Sequence, residues 1–362
     1  MYFGLSEDQI FFQDNVKKFL EDNAPLDAVK KITEGADLST KDELHQGLIN
    51  LGINNILIPE ENGGLGLDLL FASAVSQSLG EGIATLPFVG PYVIAPIAIK
   101  YGASDSQKEK LFNEMSQNLI NCGVGFSEYF GSRDSSGLSI ENNTVTGRTL
   151  FVLDTDYASH VIICDKEGKI GFISLDSEGI EIINLTTVDK TRTYKEMNFE
   201  KTPIEILENT KSSTVAIEMA LSAGRIITAA DSLGASQAMI DKAVEYSKER
   251  KQFNRVIGSF QAVKHMCAEM SAELEPCYSL VWHAAHSFDE SNEDAKLMSC
   301  LAKSHISEVS KMVSKKATEV HGGMGFTDLL GLHFWFKRIG LNRHILGYPE
   351  IVREEAAKAQ DL

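Results

Sequence analysis

The chain has 362 residues, of which 43% are hydrophobic and 23% charged, a composition typical of a globular protein with two or three structural units. Its formal net charge of −17, from 51 acidic against 34 basic side chains, argues against a general nucleic-acid or acidic-membrane surface. The longest apolar stretch, residues 84–99, is too short for a membrane span and is interrupted by prolines. Without a secretory signal, and with five cysteines that form no CxxC pair, we expect a cytoplasmic protein with reduced thiols.

Helical periodicity dominates the first third of the sequence. Ser6 is a suitable N-cap for a helix over residues 6–22, because Glu7 and Asp8 follow it in the first turn. Further helices are expected at 41–51, 68–81, 91–101 and 106–116, where glycine- and proline-rich segments separate the periodic runs. Residues 1–120 are therefore predicted to form a helical domain.

The pattern changes in the middle of the chain. Residues 121–211 contain short β-branched runs bounded by Gly, Asp and Asn, such as TVTGRTLFVLD and KIGFISLD, which indicate a small antiparallel sheet. From 212 to 362 helical periodicity returns, with long helices at about 213–249, 258–290 and 293–320 and two shorter ones after 326. The predicted fold is mostly α with a β middle domain.

Basic residues surround an aromatic side chain where the first of these long helices should end, in ERKQFNRVIGSFQAVKH at 249–265. Arg250 offers a planar set of donors that suits phosphate, and Phe253 offers an apolar face for a ring or a pantetheine-like arm. A solvated helix end would also favour basic side chains, because its dipole is negative there. Both interpretations remain open on physical grounds alone.

Three glycines crowd a second segment, EVHGGMGFTD at 319–328, namely Gly322, Gly323 and Gly325. Clustered glycines let backbone N–H groups approach an anion, although a helix C-cap followed by a turn would explain one or two of them. No strand precedes the segment and its spacing is not GxGxxG, so it is not a Rossmann motif. Both segments are expected at ends of bundle helices, where a nucleotide could bridge them.

These segments carry a resemblance. RKQFNRVIGSFQAVKHMCAEM resembles one signature of the acyl-CoA dehydrogenase superfamily, EVHGGMGFTD resembles its second, and LIPEENGGLGL at 57–67 resembles its N-terminal motif. The resemblance covers essentially the whole chain and implies an N-terminal helical domain, a small antiparallel β domain and a C-terminal four-helix bundle. It also implies an FAD enzyme that oxidises an acyl-CoA thioester to the 2-enoyl thioester and passes the electrons to an electron-transferring flavoprotein.

The resemblance further assigns the cofactor contacts, which in this family cross a subunit interface. Arg250, Phe253 and Gln261 from the first signature, with Gly322, Gly323 and Glu319 from the second, would hold the FAD pyrophosphate and adenosine. Ser127 would belong to the flavin loop, in the segment SEYFGSRD at 127–134, where Glu128 also aligns and Tyr129 replaces the family's Pro.

The chain departs from the family where the chemistry is most demanding. The reaction needs a carboxylate that removes the α-proton, and such a base works best when it is desolvated and its pKa is raised. The two positions where family members carry this glutamate hold Leu346 and Gly224. Phe151, Val152 and Leu153 replace the family's Trp-Ile-Thr or Trp-Ile-Ser, so a flavin-bonding hydroxyl is missing at Leu153. Glu319 replaces a Gln, and a carboxylate near a pyrophosphate is repulsive unless it is paired.

Two explanations fit these departures. The chain resembles the base-lacking subunit of bacterial hetero-oligomers that act on steroid side chains, in which two homologous subunits share one flavin site in a dimer or heterotetramer. Alternatively, an unaligned carboxylate serves as base, for which Asp231, Glu350 and Glu354 are candidates, although such residues are usually solvated.

Two other classes of function remain open: a non-catalytic scaffold subunit that binds no flavin alone, and a flavin-dependent monooxygenase on the same fold. Lone histidines such as His265 and His321 are more often structural than catalytic. No cluster of His, Cys and carboxylate suggests a metal. The identity of the acyl group leaves no local motif.

Overall fold

The computed structural model describes residues 4–131, 137–290 and 294–362. The chain divides into two compact units, which are described separately: unit 1 comprises Met1–Asp42, Ser73–Thr85 and Thr228–Leu362, and unit 2 comprises Glu43–Ala72 and Leu86–Ile227. The α-helices within the described ranges are α1 (Glu7–Asn23), α2 (Leu26–Thr33), α3 (Leu38–Asn50), α4 (Leu69–Glu81), α5 (Ala95–Gly102), α6 (Asp105–Ser116), α7 (Ser127–Gly131), α8 (Val215–Glu249), α9 (Gln261–Asp289), α10 (Ala295–His321), α11 (Leu332–Asn342) and α12 (Pro349–Lys358). The strands are β1 (Cys122–Gly125), β2 (Gly137–Glu141), β3 (Thr144–Leu153), β4 (His160–Cys164), β5 (Ile170–Ser174), β6 (Ile180–Leu185), β7 (Tyr194–Pro203), β8 (Glu205–Ile206), β9 (Lys251–Gln252) and β10 (Arg255–Val256).

The helix predicted at the amino terminus is confirmed together with its cap. Ser6 Oγ accepts from the N–H of Gln9 at 3.2 Å, and Gln9 Oε1 accepts from the N–H of Ser6 at 2.8 Å, so two backbone donors at the start of the helix are satisfied. The short helix α2 was not predicted, because its eight residues are too few for a clear period; it buries Val29 and Ile32.

In unit 1, α4 and α8 approach each other closely enough for backbone contact. A Cβ on Gly234 would lie 1.9 Å from the carbonyl oxygen of Gln77, and a Cβ on Gly80 would lie 2.0 Å from that of Asp231. Glycine is therefore required at both crossing positions. The long helix α10 packs against α9, α11 and α12, and an ion pair between Lys316 and Glu269 joins it to α9.

Unit 2 is built on a sheet with the strand order β6-β7-β3-β1-β4-β5-β8, and β2 pairs with β3 outside this path. Val145, Val152, Val161 and Met197 belong to its apolar core. All pairs are antiparallel except β1 with β4, which run parallel from Cys122 opposite His160. The predicted β middle domain is thus correct, while a purely antiparallel sheet was wrong, because β1 was not recognised in its four residues CGVG.

No helix among the described residues is both long and apolar enough to cross a membrane. The five cysteines are unpaired, as expected, and all but Cys267 are buried.

The crossing of α4 and α8 gives a first prediction. Gly234→Ala should lower the melting temperature, because an overpacked Cβ costs ~1–3 kcal/mol where 1.9 Å separates it from a backbone oxygen. The matched control is Gly340→Ala in α11, where no atom lies within 4 Å of the added Cβ. That change should stabilise by ~0.5–1 kcal/mol, through helix propensity alone. Equal effects of both variants in thermal or urea unfolding would contradict the close crossing.

Candidate functional site

The basic segment after α8 forms a two-stranded hairpin in unit 1. Arg255 pairs with Gln252 and Val256 with Lys251, which leaves Phe253 and Asn254 as the two turn residues. Their φ angles of 51° and 62° are those of a type I′ turn, which is unfavourable for a phenylalanine. The Phe253 side chain is nevertheless 88% exposed, so the turn holds an aromatic ring out in solvent.

Contacts near the end of α8 and the start of α9 hold this hairpin in place. The N–H of Ile257 donates to the carbonyl of Arg250 at 2.8 Å, and the Arg255 guanidinium lies 3.9 Å from the centre of the Phe260 ring. Gly258 has to be glycine, because a Cβ there would lie 2.9 Å from the carbonyl oxygen of Ser247 on α8. The anchoring fixes where Phe253 projects.

The glycine-rich segment begins where α10 ends. Gly322 has φ 59° and ψ −142°, a conformation that side chains rarely adopt, and it opens a short 3-10 turn over Gly322–Phe326. A Cβ on Gly322 or Gly323 would meet no atom within 4 Å, whereas one on Gly325 would lie 2.7 Å from the carbonyl oxygen of Thr318. Gly325 is thus required by packing, while Gly322 and Gly323 border open space.

Ring stacking brings the two segments together. Tyr246, one turn before Arg250 on α8, stacks on His321 with ring centroids 4.6 Å apart, and His321 directly precedes Gly322. His321 Nδ1 lies 2.7 Å from the carbonyl oxygen of Ala317, and burial lowers the pKa of the imidazole. His321 therefore fills a structural position, whereas His265 is exposed. Sequence inspection missed Tyr246, although its spacing of four from Arg250 was a usable signal.

The donors available here suit an anionic cofactor. Arg250 and Gln261 are exposed, and Gln261 is the first residue of α9, whose N-cap, Phe260, makes no side-chain hydrogen bond to the first turn. Uncapped N–H groups at a helix N-terminus and a free guanidinium both favour phosphate oxygens. Glu319 is exposed and forms no ion pair with any described residue, so no described cation compensates its charge. Apart from Glu319, the residues fit an FAD pyrophosphate.

The predicted flavin loop lies in unit 2 and is fastened to β3. Ser127 Oγ donates to the carbonyl of Leu150 at 2.5 Å, and the buried Glu128 accepts from the N–H of Leu150 at 3.2 Å. The strand bulges here, with a register shift between Thr149 and Val152. Residues 132–134 of this predicted loop lie outside the described residues.

The bulge determines which side chains of residues 151–153 face outward. Phe151 has φ 53° and is 39% exposed, whereas Val152 and Leu153 are buried. Phe151 is therefore the side chain of this segment that a ring system outside the sheet would touch.

The two expected positions of the base hold no carboxylate. Leu346 is buried in the turn between α11 and α12, with φ 58°, and Gly347 follows with φ 101°. Gly224 is buried in α8. An apolar side chain therefore occupies the first position and no side chain the second.

The three unaligned candidates are already engaged. Glu350 pairs with Arg343 at 3.3 Å, and its pKa is lowered by its backbone N–H and this arginine. Glu354 pairs with Lys358 at 2.8 Å, which lowers its pKa too. A lowered pKa makes a carboxylate a weaker base, the opposite of what the reaction needs.

Asp231 differs, because it is completely buried in unit 1. Its Oδ2 accepts from Arg338 Nη1 at 3.2 Å and its Oδ1 from Asn342 Nδ2 at 2.6 Å. The general expectation that such a carboxylate is solvated was wrong here, since α8 carries Asp231 into the centre of the unit. Both of its oxygens are taken up by donors of α11.

Comparison with known proteins identifies this architecture. Butyryl-CoA dehydrogenase from Megasphaera elsdenii shares the fold, with a TM-score of 0.86, 21% identity and coverage of 100% of both chains. The chain thus has the fold of butyryl-CoA dehydrogenase. Two family models also match: the acyl-CoA dehydrogenase N-terminal domain at residues 6–118 and the acyl-CoA dehydrogenase C-terminal domain at residues 214–360. The chain belongs to the acyl-CoA dehydrogenase superfamily.

Two curated relatives extend over most of the chain. The caffeyl-CoA reductase-Etf complex subunit CarC of Acetobacterium woodii is 26% identical over 353 residues, covering 90% of each protein. The acyl-CoA dehydrogenase IpdE2 of Mycolicibacterium smegmatis is 26% identical over 346 residues, covering 95% of this chain and 96% of that protein. Members of the family carry FAD, which confirms the predicted cofactor.

The open space beside Gly323 gives a second prediction. Gly323→Ala should leave the stability of the flavin-free protein within ~0.5 kcal/mol, because no atom of the chain lies within 4 Å of the added Cβ. The methyl group should nevertheless reduce FAD retention if the cofactor passes this surface. Flavin-to-protein absorbance ratios after gel filtration measure the effect, with Gly340→Ala as control. Full FAD retention in the Gly323 variant would remove this glycine from the cofactor site.

Proposed function

We propose that this chain is the base-lacking subunit of an acyl-CoA dehydrogenase oligomer that shares its FAD site with a homologous partner. The observation that carries the proposal is Leu346, a buried leucine with φ 58° where the family's glutamate is expected. A positive φ is unfavourable for leucine. Strained backbone conformations of this kind persist mainly at functional sites, so we interpret the conformation of Leu346 as that of a catalytic position whose carboxylate has been lost.

FAD, when bound, would act as the acceptor of a hydride from the β-carbon of an acyl-CoA thioester. The residues of this chain hold and orient the cofactor, while the α-proton passes to a carboxylate of the partner. Leu346 is buried and cannot accept a proton. The pKa of the exposed Glu350 is lowered by its own backbone N–H and by Arg343, and that of Glu354 by Lys358, so both are weak bases.

The exposed aromatic residues support a site completed by a second subunit. Phe253, 88% exposed on a strained turn, and Phe326, 79% exposed in the glycine-rich segment, both leave a large apolar surface in water. Exposed apolar groups of this kind mark interaction surfaces, and strain persists where function requires it. A neighbouring subunit with bound FAD would cover Phe253 and pair Arg250 with phosphate.

We further propose an electron-transferring flavoprotein as the electron acceptor. A relative of 26% identity is named as a subunit of a caffeyl-CoA reductase-Etf complex. A flavin that has accepted a hydride also needs an electron acceptor before it can react again.

The deciding experiment measures flavin absorbance and native mass for the chain alone and co-expressed with its genomic neighbours. A colourless chain that becomes yellow in a mixed complex, with activity toward acyl-CoA, supports the shared site. A yellow, active homo-oligomer would overturn it. A complex whose flavin is unaffected by changes in this chain would favour a scaffold role, and rapid oxygen consumption by the reduced flavin would favour a monooxygenase.

Arg250→Ala gives a third prediction. Loss of a charge-assisted hydrogen bond to phosphate should weaken FAD binding in the assembled oligomer by ~1.5–3 kcal/mol, or about 10- to 150-fold in Kd. The matched control is Lys251→Ala, which removes the same charge from the adjacent exposed position. Unchanged FAD affinity for the Arg250 variant, or an equal loss for both variants, would rule out a specific phosphate contact.

A further inference from the structure

A cavity of about 310 Å³ lies within unit 1. Helices α1, α2, α4, α8 and α11 contribute to it. Leu20, Leu26, Ile83 and Ala238 form the apolar part of its wall, and the carboxylates of Glu21, Asp241 and Glu245 line the rest. The buried Trp335 forms one side, and its indole Nε1 donates to the carbonyl of Glu81 at 2.9 Å, which fixes the ring. The walls can therefore receive a small apolar group.

Two lysines line this cavity, and they differ in whether an ion pair holds the amine. Lys17 forms an ion pair with Glu81 at 2.6 Å. Lys242 lies with its Nζ 4.8 Å from the centre of the Trp335 ring, and it forms no ion pair or hydrogen bond through its side chain with any described residue. One cavity thus holds a paired amine and an unpaired one.

The surroundings of the two lysines change their proton affinity in opposite directions. Burial lowers the pKa of Lys242, although the charge of Glu245 on the same helix opposes this shift. The hydrogen bond that Lys17 donates to Glu81 raises the pKa of Lys17. A neutral amine is a nucleophile and an ammonium is not, so Lys242 is the more reactive of the two at a given pH.

We propose that Lys242 is a modification site at which its side-chain amine accepts an acyl group from an acyl thioester. The choice of thioester rests on the proposed function, since acyl thioesters would be the substrate class. The Nζ lone pair attacks the thioester carbonyl, an amide N–C bond forms and the C–S bond breaks. The thiolate leaves and takes up the proton released by nitrogen, so no oxidant or reductant is needed. The transferred acyl group can lie against Leu20 and Ile83.

The modification would reach the cofactor segment through His321. Burial lowers the pKa of His321, which directly precedes Gly322, and the charge of Lys242 lowers it further. Acylation removes this positive charge from the neighbourhood of the glycine-rich segment. Because positive charge favours phosphate, acylated protein should retain FAD less well.

The test uses the full chain, with its partner where one is required for solubility, and S-butyryl-N-acetylcysteamine, a small thioester without the phosphates of coenzyme A. Peptide mass spectrometry over a time course should show Lys242 acylated several-fold faster than Lys17 and faster than exposed lysines such as Lys251. Lys242→Arg, which keeps the charge, should abolish the fast label. Glu81→Gln should accelerate labelling of Lys17 and leave that of Lys242 unchanged.

Lysines that label at equal rates, or a Lys17 that labels faster than Lys242, would overturn the proposal. Wild-type protein is sufficient for this outcome, so it does not depend on variants that fold. The reaction requires no flavin, which separates the two proposals. Labelling of Lys242 in a chain that never supports dehydrogenation would refute only the proposed function, and an active complex with unlabelled Lys242 would refute only the modification site.

Discussion

The buried ion pair between Asp231 and Arg338 is the interaction on which the organisation of unit 1 depends. Both side chains are at most 1% exposed, and Arg338 also donates to the carbonyl of Ala84 at 2.6 Å, just beyond α4. Removing one member of such a pair typically costs ~3–5 kcal/mol, because the other charge is left buried. Lys303 from α10 donates to the carbonyl of Asn342, the last residue of α11, so these polar contacts also fix where the turn at Leu346 begins.

This network has a consequence for the chemistry. Among the candidate bases, Asp231 is the buried carboxylate. Its two oxygens accept hydrogen bonds from Arg338 and Asn342. The turn that these contacts support then presents Leu346, a side chain without a proton acceptor. The polar groups around Asp231 stabilise the fold, and the position expected for the base carries an apolar side chain. Both features agree with the proposal that this chain contributes cofactor contacts, and no base, to a shared site.

The sequence predicted the elements better than their pairing. Periodicity located the long helices and the Ser6 cap, since these depend on neighbouring residues. The partnership of Asp231 with Arg338 spans 107 positions and left no local pattern, and the parallel pair β1 and β4 was hidden in CGVG. Among site residues, the charge and glycine patterns indicated Arg250 and Gly322. The positive φ of Phe253 and the stack of Tyr246 on His321 arise from tertiary packing, which residue types alone do not encode.

The electrostatic potential at the candidate cofactor site is set by nearby side chains and not by the net charge of the chain. Although the net charge is −17, charges in water are screened over about 8 Å at physiological ionic strength, so Arg250, Lys251 and Arg255 determine the potential at the hairpin. Glu319 opposes them, because it is exposed and unpaired among the described residues. An unpaired carboxylate beside a pyrophosphate would weaken binding. A cation from a neighbouring subunit would remove this conflict, so the interface proposed to cover Phe253 would also account for a glutamate where the family has glutamine.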